Sequence, residues 1–272
     1  MSEPATLGIG QGTYVDVNGL RMCYESHGEG IPIILLHGGL ETCRMWDQAV
    51  AVLSRTYRVI TPDSRGHGRT DNPAEKISYP LMAEDFAHFI QVLELDKPFV
   101  AGYSDGGQTA LCMAIDYPEV ARGYMVGATE LRMTAAWRQM MQDGLGFEGP
   151  GSVDFERIAQ TNPDLIKTLQ EKHDVFHEPG YWKTLLTAAS HYWLSPPQYT
   201  STDFARITTP VLFWSGDRDE LCPPEQSLEM YRMVKGAELA LIPNADHFTM
   251  FAQQELAIGI LLNFMQRVTE AA

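Results

Sequence analysis

Basic residues and cysteine are scarce in this chain, and no long apolar run is present. Lysine and arginine total 20 against 35 aspartates and glutamates, for a net charge of −15. Such a chain offers no basic face, which argues against nucleic acid or an anionic membrane as partners. The acidic residues are scattered and read as a solvated surface. No apolar stretch approaches the roughly 20 residues of a spanning helix. The N-terminal MSEPATLGIGQGTY has no basic stretch followed by an apolar core, so no export signal is expected there. Cys23, Cys43, Cys112 and Cys222 are far apart and never in C-x-x-C spacing. That excludes an evident zinc or redox motif and favours buried, reduced thiols in a soluble, cytoplasmic protein. Internal repeats and low-complexity segments are absent too. Monomer and homodimer both remain open.

What is present is ordinary globular material, 44% hydrophobic and 20% charged. TYVDVNG and LRMCYESHG flank Asn18-Gly19, a hairpin signal. IPIILL (31–36) is a continuous apolar run, which suits a strand buried on both faces. Residues 43–54 read as a helix, 57–63 as a strand, 78–94 as a helix and 97–103 as a strand. A helix follows directly, then a strand over 122–129. Such alternation predicts a mostly parallel sheet with helices on both faces. From Glu130 to Asp203 the pattern turns helical and aromatic-rich, with no convincing buried strand. The alternation resumes with strands at 209–217 and 237–243 and helices at 223–234 and 250–267. The expected organisation is one α/β core, residues 1–129 and 204–272, interrupted by a helical cap over 130–203 that is too long for a plain loop.

Gly102-Tyr103-Ser104-Asp105-Gly106 fits G-x-S-x-G between a strand and a helix. A serine at the apex of such a turn has a strained backbone, and small residues on either side let strand and helix approach closely. The same pattern also occurs as a simple glycine-rich connection. A serine hydroxyl needs a base, itself oriented by an acid. Of eight histidines, only His247 sits in a loop after the last strand. His88 and His27 read as structural, and His173 and His177, four apart, lack a further ligand, so no metal site is expected. For the acid, Asp217 and Asp219 both follow a strand. Asp219 is favoured because it lies further from the strand end, and Glu130, after the strand at 122–129, is an outside candidate. His37-Gly38-Gly39-Leu40 follows the buried strand, and its N–H groups can join that of Asp105 in cradling an oxyanion. Gly8, Gly10 and Gly12 precede a strand and form no dinucleotide fingerprint. Arg65-Gly66-His67-Gly68-Arg69 reads as a surface turn.

HGGLETCRMW, PDSRGHGRTD, GYSDGGQTAL, SGDRDELCPP and PNADHF stand in the order and spacing of α/β-hydrolase fold enzymes, which the chain resembles outside the insertion. The resemblance implies an eight-stranded sheet with a cap after the sixth strand. It makes Ser104 the nucleophile, His247 the base and Asp219, fourth in G-x-x-D from Gly216, the acid. The N–H groups of Gly39 and Asp105 become the oxyanion hole. The S-D-G-G turn looks like that of esterases of the valacyclovir hydrolase type, although the insertion does not follow theirs. A serine where dehalogenases and epoxide hydrolases of this fold carry aspartate implies cofactor-free acyl chemistry on a small ester-like molecule. Lactone or C–C bond hydrolysis, or a slow-turnover ligand receptor on the same fold, are the alternatives. Within the insertion, Met133, Trp137, Met140, Met141, Phe147, Trp182, Tyr192 and Trp193 are expected mostly to pack it onto the core, with some lining a pocket. Glu130 and His191 are candidates for polar recognition there.

Overall fold

The computed structural model describes residues 12–248 and 253–271. Gly8 and Gly10 therefore lie outside the described residues, as does the start of the helix expected at 250. Asn18 (φ 48°) and Gly19 (φ 78°) close the hairpin between β1 (Thr13–Val17) and β2 (Leu20–His27). Positive φ at both central positions matches the twist of the flanking strands. β3 (Pro32–Leu36), β4 (Arg58–Pro62), β5 (Phe99–Tyr103) and β6 (Gly123–Gly127) follow. After the insertion come β9 (Val211–Gly216) and β10 (Glu238–Ile242). Among the described residues these form an eight-stranded sheet in the order β1-β2-β4-β3-β5-β6-β9-β10, in which β2 alone runs against the others.

The apolar runs are continuous because both faces are covered. Ile34 and Leu36 of β3 belong to a core shared with α2 (Tyr79–Val92), α3 (Asp105–Asp116) and α9 (Pro224–Met233). Ile33 and Leu35 belong to the core on the opposite face, shared with α1 (Asp47–Leu53) and the closing helix α10 (Gln254–Ala271). All four cysteines are buried and free of disulfides. No helix among the described residues is long and apolar enough to cross a membrane.

The insertion between β6 and β9 carries α4 (Ala135–Leu145), α5 (Phe155–Thr161), α6 (Pro163–Lys172), α7 (Tyr181–Trp193) and α8 (Ser201–Phe204). It is not wholly helical. A ribbon of β7 (Phe147–Gly149) and β8 (Ser152–Val153) turns the chain between α4 and α5, apart from the main sheet. Strands this short leave no periodic signal to read.

The 65–69 turn corrects a sequence expectation. It is buried rather than on the surface, with Arg65 3% and His67 1% exposed. Arg65 donates two bonds to Asp85 of α2, at 2.7 and 2.5 Å. Arg69 donates to Asp63 and to Glu25, each at 2.9 Å. Charged side chains are read as exposed unless a partner is known, and here Asp85 and Glu25 come from other elements. The turn also seats the insertion. The Gly68 N–H donates to His173 Nδ1 at 2.9 Å, and the Tyr181 hydroxyl donates to the Gly66 carbonyl at 3.0 Å.

Candidate active site

Chain direction changes side at β3: β4 packs on one flank and β5 on the other. A sheet of this kind leaves a crevice beyond the carboxyl ends of those two strands. Ser104 stands at the end of β5 with φ 56° and ψ −119°, a conformation that costs a non-glycine residue about 1–3 kcal/mol. The neighbouring glycines are what allow it. A Cβ on Gly102 would lie 2.0 Å from the Gly106 carbonyl oxygen, and one on Gly106 would lie 2.1 Å from that of Leu36. The turn aims the serine hydroxyl above the sheet and places Asp105 first in α3, where the amide N–H groups have no partner within the helix.

Ser104 Oγ lies 3.0 Å from Nε2 of His247, and Nδ1 of His247 lies 2.9 Å from Oδ2 of Asp219. Asp219 is 2% exposed, and its other oxygen accepts the N–H groups of Leu221 (3.0 Å) and Cys222 (2.7 Å). An ionised carboxylate only accepts, so Nδ1 of His247 carries the proton and Nε2 is left to take one from Ser104. The Tyr103 hydroxyl donates to the His247 carbonyl and steadies that loop. Asp217, the rival acid, is exposed and accepts the Ala245 N–H at 3.2 Å instead. Gly38 and Gly39 face Ser104 across the same opening. His37 holds their loop: Nδ1 bonds the Gly38 carbonyl at 2.7 Å, and Nε2 accepts the Ser64 N–H at 2.9 Å.

The opening is a cavity of about 380 Å³. Core residues around Ser104 form its floor, and Trp137, Met140, Leu165, Leu169 and Trp193 of the insertion form its walls. Of the aromatic and methionine residues singled out above, Trp137, Met140 and Trp193 line it. Met141, Phe147, Trp182 and Tyr192 are buried as packing. His191 is exposed and does not line the cavity. Sequence reading missed Lys172 and Glu41, which meet at the cavity wall with Nζ and Oε2 2.6 Å apart. They are 131 residues apart, and although Glu41 stands in the HGGLETCRMW motif, nothing in that motif points to Lys172.

Among the described residues, one group of His, Cys and Asp side chains has the spacing of metal ligands: Asp219, Cys222 and His247, within 4.8 Å of one another. The Asp219–His247 hydrogen bond accounts for two of the three. Burial pushes the Cys222 thiol well above its ordinary value, which opposes the thiolate a metal would need. His173, set aside as a metal ligand from the sequence, has Nδ1 on the Gly68 N–H and Nε2 on the Leu40 carbonyl.

Glu130 is not joined to His247 and does not line the cavity; it is 7% exposed, with Oε2 unpartnered. Burial, with help from the Asp105 charge, pushes its carboxyl up to about 7 from 4.5. A raised carboxyl makes ionisation oppose folding: the penalty is absent below about pH 4.5 and complete above about 7. Glu130→Gln should therefore gain on the wild type as pH rises from about 4.5 to 8, by about 3 kcal/mol at most. Urea midpoints at the two pH values read this directly. A gap between variant and wild type that stays constant with pH would contradict it.

Fold and site together define a hydrolase. The chain belongs to the alpha/beta hydrolase family, whose model matches residues 33–258. It is 28% identical over 255 residues to the AB hydrolase superfamily protein YisY of Bacillus subtilis, covering 88% of this chain and 93% of that one. It is 25% identical over 272 residues to the 2-hydroxy-6-oxo-2,4-heptadienoate hydrolase of Pseudomonas putida, covering 93% and 96% of the two chains. A thermophilic esterase from Thermogutta terrifontis shares the fold, with a TM-score of 0.73 and 23% identity over 95% of this chain and 99% of that one.

Proposed function

We propose that this protein hydrolyses small, uncharged carboxylic esters through an acyl-enzyme on Ser104, with His247 as base and Asp219 as its orienting acid. The observation that carries the proposal is the hydrogen-bonded line Ser104–His247–Asp219 opening on an apolar cavity. In acylation, Nε2 of His247 takes the Ser104 proton as Oγ attacks the ester carbonyl. The tetrahedral oxyanion is held by the Gly39 and Asp105 N–H groups. The C–O bond then breaks, and the alcohol leaves with the proton from His247. Water, deprotonated by the same histidine, attacks the acyl-enzyme and releases the acid. Four buried thiols without a disulfide suit a reducing cytoplasm.

C–C bond hydrolysis is a second reading, favoured by the similarity to the heptadienoate hydrolase. A dienoate carries a carboxylate, which calls for an available cation. Among the described residues the one cation lining the cavity, Lys172, is already paired with Glu41, and that favours the neutral ester. Purified protein should therefore turn over short-chain aryl esters faster than lactones or vinylogous diketones bearing a carboxylate. Faster release from the diketones would replace the first reading with the second. A single slow turnover with ligand retained would mark a receptor.

A further inference from the structure

The side chain of Asp105 is idle in the chemistry just described, where only its backbone N–H acts. Its carboxylate nevertheless accepts from three side-chain donors. The Tyr79 hydroxyl donates to Oδ1 at 2.8 Å, and the Tyr192 hydroxyl donates to Oδ2 at 2.8 Å. Nε1–H of Trp193 is shared between the two oxygens at 2.9 and 2.8 Å. Tyr79 opens α2 in the core, whereas Tyr192 and Trp193 close α7 in the insertion. Asp105 is 7% exposed and, unlike Ser104 before it, does not line the cavity. No lysine or arginine among the described residues pairs with it. His37, nearby, is a neutral imidazole by its own two bonds, and the other ionisable neighbours, Glu130 and Cys222, are acidic. Burial raises the Asp105 carboxyl, and the three donors work against that rise.

We propose that the Asp105 carboxylate is a positioning residue that ties helix α7 of the insertion to the turn carrying Ser104. It deepens the acyl-transfer reading and rests on it. A buried carboxylate without a cation is tolerated only while its donors stay in place, because stripping one leaves desolvated charge unsatisfied. Two of the three donors belong to α7, so α7 cannot lift without breaking them. The third donor, Tyr79, fixes the same carboxylate to the core. The loop that supplies the other oxyanion donor packs on this group as well. A Cβ on Gly39 would lie 2.2 Å from Trp193 Cζ2 and 2.6 Å from Asp105 Oδ2. Trp193 is at once a donor to Asp105, a stop for Gly39 and a wall of the cavity. One carboxylate thus sets the spacing between the Asp105 N–H, the Gly39 N–H and the substrate wall. Because both oxygens already accept from protein donors and the group does not line the cavity, it is also closed to a cationic substrate.

The test uses Tyr192→Phe, which removes one donor outside the cavity, and Asp105→Asn, which keeps the shape and loses the charge. Two readouts are taken: hydrogen exchange across α7, and steady-state hydrolysis of a p-nitrophenyl ester alongside inhibition by phenylboronic acid, a probe of the tetrahedral state. Both variants should exchange faster across α7. Each should lose about tenfold in kcat with KM within about twofold, and phenylboronic acid should weaken in parallel with kcat. If Asp105→Asn does not fold, Tyr192→Phe carries the test alone. Wild-type protection of α7 in the folded variants would overturn the tie. Faster exchange with unchanged kcat and boronic acid affinity would overturn the positioning role. A wild type with no ester turnover would sink the acyl-transfer reading instead, and the exchange result would still decide whether Asp105 holds α7.

Discussion

Ser104→Ala is expected to lower kcat on a short-chain aryl ester by about 10⁵ or more while the protein stays folded. The loss follows from the site's construction. With Oγ gone, His247 has no hydroxyl within 3.0 Å to activate, and no acyl-enzyme can form. Residual rate would come only from the oxyanion donors and from binding, which act on water far less effectively. Stability should change little. Ser104 holds φ 56° because Gly102 and Gly106 let β5 and α3 close on each other, and alanine meets the same backbone constraint. Thermal unfolding and single-turnover kinetics on the two proteins check both halves. Equal product release by variant and wild type would remove Ser104 from the mechanism.

The second large effect separates the two acid candidates. Asp219→Asn should cost about 10⁴ in kcat. The asparagine oxygen can keep the Leu221 and Cys222 N–H bonds. Its amide N–H then faces Nδ1 of His247, which must accept there and carry its proton on Nε2. In that tautomer Nε2 points a proton at Ser104 and cannot take one. Asp217→Asn should stay within about tenfold of the wild type, because Asp217 is exposed and only receives the Ala245 N–H. A larger loss from the Asp217 change would reverse the assignment.

The sheet was legible because a strand covered on both faces must be apolar throughout. IPIILL and KPFVAGY announce themselves without their neighbours, and their ends fall within about two residues of the observed strands. The turn at Ser104 was legible because its backbone tolerates little besides glycine two residues before and two after the serine. The short β7–β8 ribbon escaped notice, being too short for a period to develop. The 65–69 turn was misplaced for a different reason. Two arginines in five residues read as surface, and only folding brings Asp85 and Glu25 to them.

The same division runs through the site. By itself the sequence pointed to the family, a mostly parallel α/β core and the candidates Ser104, His247 and Asp219, with Asp217 as the rival acid, since motif order and spacing along the chain carry these. Tertiary structure alone paired Lys172 with Glu41 across the cavity and surrounded the Asp105 carboxylate with Tyr79, Tyr192 and Trp193. Local backbone rules act over a few residues and leave a trace in the pattern. A hydrogen bond between residues 88 apart leaves none, because it exists only once the chain has closed on itself.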